Sequence, residues 1–176
     1  MKIETAILLI PPLEVQAFTA PLRERLNPAS FPLFPAHITL MYPFIPYKDH
    51  RLADRTLREH CLHIPPFDVT LDHYDRFPSV LFIAPRDPKP IQNLYHCISK
   101  AFPDHIAYGG EYGDELHPHL TLAVLDPDTE PEHIELPPIP AMTFTVDRLY
   151  FYAGIAETDR EGPVPFIPLS VFPLGG

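Results

Sequence analysis

Tryptophan is absent from the 176 residues, cysteine occurs twice, glycine seven times, and Lys and Arg together number 13 against 23 Asp and Glu. Each scarcity removes a class of explanation. Cys61 and Cys97 have no CxxC partner and lie in segments with helical spacing, so they suggest neither a zinc site nor a disulfide framework and read as buried free thiols. No apolar run approaches the roughly 18 residues that a membrane span requires. The opening stretch MKIETAILLIPPLE has Glu4 just ahead of a short apolar run and no small-residue cleavage site behind it. It reads as a first strand, and the expectation is a cytoplasmic, monomeric protein without membrane contact. The net charge of −10 opposes tight, sequence-independent binding along a long nucleic acid, which depends on cationic side chains displacing counterions. A small phosphorylated ligand or an RNA end remains compatible.

What the chain has in abundance is proline, 25 residues, set mostly between apolar runs (IPPLE, HIPPF, APRDPKP, ELPPIP), where it makes turns at element ends. A 45% hydrophobic and 20% charged composition fits one globular domain over 1–176. Segments 4–10, 36–42, 67–73, 79–84, 118–125, 142–153 and 164–172 are β-like in composition or alternation. Ile91, Leu94, Tyr95, Ile98 and Phe102 fall at helical spacing behind Pro90, predicting a helix over 90–102; 48–62 is a second helix and 13–26 a third, interrupted at Pro21. This order predicts an α+β domain with a mostly antiparallel sheet.

One pattern occurs twice: AHITL at 36–40 and PHLTL at 118–122, 82 residues apart, each after a helical segment and a loop. Strand alternation puts His37 and Thr39 on one face with Ile38 and Leu40 on the other, and does the same for His119 and Thr121 against Leu120 and Leu122. Each His and Thr then lie roughly 6.5–7 Å apart along the backbone, a span one phosphate could bridge. A single His-x-Thr reads as the solvated face of a sheet. Two copies, each followed by Leu, point to two polar pairs built to face one another across a cleft.

The paired motif resembles the 2H phosphoesterase superfamily. LRERLNPASFPLFPAHITLMYPF (22–44), DRFPSVLFIAP (75–85) and AYGGEYGDELHPHLTLA (107–123) are similar, in the same order, to its bacterial 2′-5′ RNA ligase-like branch. Residues 126–176 match only as closing strands. The resemblance implies a bilobal, pseudo-symmetric α+β fold: two mostly antiparallel sheets around a central groove, helices on the outer faces, and His37, Thr39, His119 and Thr121 in the groove. It implies no metal and no cofactor. The implied activity is metal-independent opening of a cyclic phosphate, the 2′,3′-cyclic phosphate of an RNA end or of a small nucleotide.

Two imidazoles with an ordinary pKa near 6.5 can serve one as base and one as acid in the same molecule. The threonine hydroxyls can hold the non-bridging oxygens between them. The resemblance assigns His119 to activating water and His37 to protonating the leaving oxygen. Tyr42 is a candidate groove residue, Arg76 a candidate phosphate contact, and Phe77 and Tyr108 candidate base-stacking rings. The YGG at 108–110 reads first as a tight turn. Two other readings stand beside this one: a metal-dependent hydrolase using His37, His117 and His119, and a non-catalytic module that binds a nucleotide or RNA end. Ligation would be reversal of diester hydrolysis at most.

Overall fold

The computed structural model of the chain describes residues 2–105, 115–125, 134–157 and 164–175. Among these residues there are eight strands and three α-helices, with a short 3-10 turn at Tyr47–Asp49: β1 (Lys2–Leu9), α1 (Leu13–Leu26), β2 (Ile38–Met41), α2 (His50–Cys61), β3 (Phe67–Phe77), β4 (Val80–Pro85), α3 (Lys89–Ala101), β5 (Leu120–Val124), β6 (Met142–Val146), β7 (Arg148–Glu157) and β8 (Ile167–Pro173). The α+β class follows directly. Every strand pair is antiparallel, and the order is β6-β3-β4-β5-β2-β1-β7-β8.

Where two sheets are expected, the strands form one. Its halves, β6-β3-β4-β5 and β2-β1-β7-β8, meet at a single residue pair, Ile38 with Leu120. Joining them there gives partners to two strand edges that separate sheets would leave open. The expected strand 142–153 is in fact two, broken at Asp147: β6 pairs with β3 at one end of the sheet, whereas β7 pairs with β1 and β8 near the other. One residue bridges strands so far apart in the order, so the sheet is curled and brings its ends close.

The helices owe their faces to spacing. Ile91, Leu94, Tyr95 and Ile98 of α3 are buried, which turns Cys97 outward; it is exposed, contrary to the expectation of two buried thiols, while Cys61 is buried and its thiol pushed up to about 12 by desolvation. Helix α1 runs through Pro21 without interruption. Proline removes one backbone hydrogen bond there, but the exposed ring leaves the inner face intact, and Val15, Thr19, Leu22 and Arg23 are buried on both sides of it.

All three helices bury apolar residues in one core behind the sheet, although Leu13 of α1 and Leu52 of α2 stay exposed; the core includes Ile7, Leu9, Ile38, Leu40, Leu120 and Leu122, each at most 1% exposed. A fully buried Leu or Ile contributes about 1.5–3 kcal/mol, so the register of β2 and β5 is strongly held: a slip by one residue would turn the histidines into this core. The opposite face of β1 and β7 carries Ala6, Leu8 and Tyr152, packed by Phe34, Tyr42, Tyr150 and Phe166. Among the described residues no helix is long and apolar enough to cross a membrane.

Candidate active site

His37 and His119 stand one residue ahead of β2 and β5. Because Ile38 pairs with Leu120 in antiparallel sense, the flanking positions cross: His37 lies beside Thr121, and Thr39 beside His119, all on the face opposite the buried Ile38 and Leu120. The structure therefore brings the four motif residues together at the narrow join of the sheet. All four are partly buried.

Both imidazoles are held alike. Nδ1 of His37 lies 2.9 Å from the Pro35 carbonyl, and Nδ1 of His119 lies 2.7 Å from the His117 carbonyl, each two residues back. A carbonyl can only accept, so Nδ1 donates in both, and Nε2 of each neutral ring is left with its lone pair for a ligand. Phe34 packs on the His37 ring at 5.0 Å between centroids; Phe77 and Phe82 pack on His119 at 5.2 and 5.1 Å.

Burial lowers the pKa of both histidines. His37 falls from 6.5 to about 4: desolvation is the main cause, the Pro35 bond opposes it, and Arg23 and His119 add positive charge nearby. His119 is lowered mainly by desolvation, against its bond to the His117 carbonyl, with a smaller contribution from the His117 side chain. Near neutral pH both are unprotonated in the free protein. His119 lies within electrostatic reach of His37.

A pocket of about 210 Å³ opens beside His37 and Thr39, lined also by Ala6, Leu8, Phe34, Tyr42 and Phe166. Phe34 and Phe166 stack at 4.3 Å, and Tyr42 meets the edge of Phe166 at 6.4 Å. Tyr42 lines this pocket, and its hydroxyl donates to the Glu4 carboxylate, which also pairs with Lys2 at 2.7 Å. Burial pushes the Glu4 carboxyl up, but those two hydrogen bonds outweigh it and leave it lowered. Phe77 stands against His119, 36% exposed. Arg76 is exposed near the end of β3, its backbone N–H bonded to Asp75. Tyr108 and the YGG at 108–110 lie outside the described residues.

The three-histidine metal reading does not take shape: His117 is exposed and serves through its carbonyl, and no three His, Cys, Asp or Glu side chains converge among the described residues. Phe34 and Phe166 were not legible as site residues. Phe34 had one usable signal, its place three residues before His37; Phe166, 129 residues beyond His37, had none.

Residues 11–155 match the 2′-5′ RNA ligase superfamily. The chain belongs to that superfamily, the 2H phosphoesterases. Solved structures with the same fold include LigT of E. coli complexed with 3′-AMP (18% identity, 97% of each chain covered, TM-score 0.65) and TT0787 of Thermus thermophilus (19%, 98% of each, 0.66). A third is described as a phosphoesterase (16%, 100% of each, 0.68). No curated protein matches the sequence. Membership of the 2H phosphoesterases makes an enzyme of phosphoesterase type the reading for this chain.

Proposed function

We propose that this 2H phosphoesterase is a metal-independent phosphodiesterase that opens a cyclic phosphate, the 2′,3′-cyclic phosphate of an RNA end or of a small nucleotide. The observation that supports the reading is the matched anchoring of His37 and His119, each held through Nδ1 by a carbonyl two residues back beside the β2–β5 join, which leaves Nε2 of each ring for a ligand; we read both rings as serving one site with Thr39 and Thr121. We read the two four-stranded halves as duplicates, each contributing one His and one Thr.

In the step itself, His119 takes a proton from water as the water oxygen bonds to phosphorus. The bond from phosphorus to one ribose oxygen breaks, and His37 gives that oxygen its proton; the product is a phosphomonoester beside a free hydroxyl. Thr39 and Thr121 hold the non-bridging oxygens and shield their growing charge. His37 is neutral in the free protein, so it serves as an acid only with the phosphodiester anion beside it, whose charge supports the imidazolium. The pocket of Phe34, Phe166 and Tyr42 takes the nucleoside, since a base can stack on any exposed ring, and Phe77 offers a second ring on the His119 side. E. coli LigT has been crystallised with 3′-AMP and with phosphate, and small phosphorylated ligands of that kind suit a site of this size.

The test is a panel of cyclic phosphates, comprising 2′,3′-cyclic mononucleotides, an oligonucleotide with a cyclic end and ADP-ribose 1″,2″-cyclic phosphate, assayed with and without EDTA, with the phosphate position in the product identified. Turnover that survives EDTA supports the proposal. Turnover that is lost on chelation and restored by one divalent ion refutes the metal-independent mechanism, and tight binding without turnover refutes the hydrolase reading in favour of a binding module.

A further inference from the structure

Gln16, the fourth residue of α1, turns its side chain onto the segment that delivers His37. Its amide oxygen accepts from the Ala36 N–H at 2.8 Å, while its amide nitrogen donates to the Ala36 carbonyl at 2.7 Å and to the Pro11 carbonyl at 3.1 Å. These partners settle which end of the amide is which, because an N–H needs an oxygen and a carbonyl needs an N–H. Ala36 is 1% exposed, so water does not substitute for these bonds. Seven residues on, along the same helix face, the Arg23 guanidinium donates to the Phe34 carbonyl at 3.0 Å. Helix α1 thus grips the 34–36 segment at two points.

The Ala36 N–H and the Pro35 carbonyl belong to the same peptide group. That carbonyl accepts from Nδ1 of His37. An unbroken chain therefore runs from the Gln16 oxygen through one peptide to the catalytic ring, and a bond at one end of a peptide strengthens the bond at the other. A histidine's tautomer is set by the hydrogen bond its second nitrogen makes. The other histidine has a counterpart with one difference. Gln92, also fourth in its helix, α3, donates to the Leu116 carbonyl at 2.9 Å. The carbonyl that accepts from His119 is that of His117, however, and its peptide ends in Pro118, which has no N–H. No such chain can form there.

We propose that Gln16 is a positioning residue that fixes the orientation and tautomer of His37 through the Pro35–Ala36 peptide, whereas Gln92 steadies the approach to His119 without that link. The catalytic consequence rests on the proposed function; the tautomer does not, and the experiment separates the two. Side-chain ¹⁵N spectra of histidine in the substrate-free protein read which ring nitrogen carries hydrogen. In Gln16→Leu, His37 is expected to shift from the Nδ1–H form toward a mixture with the Nε2–H form, with His119 unchanged; Gln92→Leu leaves the His37 tautomer as it was. Gln16→Glu retains the oxygen facing Ala36, and its second oxygen must stay protonated to donate to the Ala36 and Pro11 carbonyls that the amide nitrogen served, so the variant keeps the Nδ1–H form of His37.

An unmoved His37 tautomer in Gln16→Leu overturns the proposal. Should that variant not fold, loss of the Nδ1–H form of His37 in Gln16→Glu overturns it equally. With a cyclic mononucleotide, Gln16→Leu is expected to lower kcat about 10-fold with KM within about twofold, the mark of a misplaced but present imidazole; an unchanged kcat alongside a shifted tautomer overturns the catalytic role. If the tautomer moves while even the wild-type protein turns over no cyclic phosphate, the positioning stands and the hydrolase reading falls.

Discussion

Gly154→Ala tests whether the aromatic wall beside His37 is built or incidental. Gly154 lies in β7 opposite Glu4, and a Cβ added there would meet Cγ and Cδ2 of the Phe166 ring at 2.3 Å. No real Cβ tolerates that distance, so the ring must leave. Its stacking on Phe34 is worth about 0.5–1.5 kcal/mol, and the partly buried ring loses about half of the roughly 1.5–3 kcal/mol of a fully buried side chain. Against this, replacing Gly by Ala in extended backbone gains about 0.4–1 kcal/mol through the unfolded chain. The net expectation is a loss of about 1–2 kcal/mol, which for a chain of this size lowers Tm by about 2–8 °C. Circular dichroism serves for the melt, since the chain has no tryptophan to follow by fluorescence. The same variant should raise KM for a cyclic mononucleotide several-fold while kcat changes little, because the His37 anchor at Pro35 is untouched. A higher Tm with an unchanged KM would refute the reasoning: Phe166 would then yield without cost, and the wall would hold no ligand.

His37→Ala and His119→Ala should each lower turnover by at least about 10²-fold with the fold intact, and Thr39→Val or Thr121→Val by less; wild-type activity in either histidine variant removes that residue from the chemistry. Since kcat/KM reports the free protein and burial lowers both histidines, its bell-shaped profile should peak below pH 6.5, and the kcat profile should lie higher because bound phosphate supports the imidazolium; a single-limbed profile speaks against a two-histidine mechanism. Between pH 6.5 and about 4 the folded His37 stays neutral while the unfolded chain takes up a proton, so stability should fall on acidification through that window, and His37→Ala should flatten the corresponding part of the curve. With a net charge of −10, an oligonucleotide with a cyclic end should react little better than a cyclic mononucleotide, and a large preference that salt abolishes would reveal a basic track.

The motif residues were legible because strand alternation is a local rule: once two residues of β2 or β5 face the core, their neighbours must face away. Tyr42 was legible as a ring three residues beyond Thr39, whereas Phe77, 42 residues before His119, stood out only as a ring in the stretch 75–85 that resembles the family. Pro21 misled because the loss of one backbone hydrogen bond is a local penalty, whereas burial of Val15, Thr19, Leu22 and Arg23 along the continuous helix is a tertiary gain. The run 142–153 misled in the opposite way: its composition is uniformly β-like, and only the competing partners β3 and β1 divide it at Asp147.

By itself, then, the sequence determined the α+β class, the two polar pairs, and the faces of the strands that bear them, all consequences of periods of two and of 3.6 residues along one chain. The tertiary structure alone decided what those pairs meet. Phe166 stacks on Phe34 across 132 positions, Gln16 pairs with a backbone 20 residues away, and the two halves touch at Ile38 and Leu120 across 82. No periodicity encodes such contacts, because they arise from how far the whole sheet curls and which backbone groups are then left to satisfy. The lowered pKa of each histidine belongs to the same class, since desolvation depends on every element that closes around the ring.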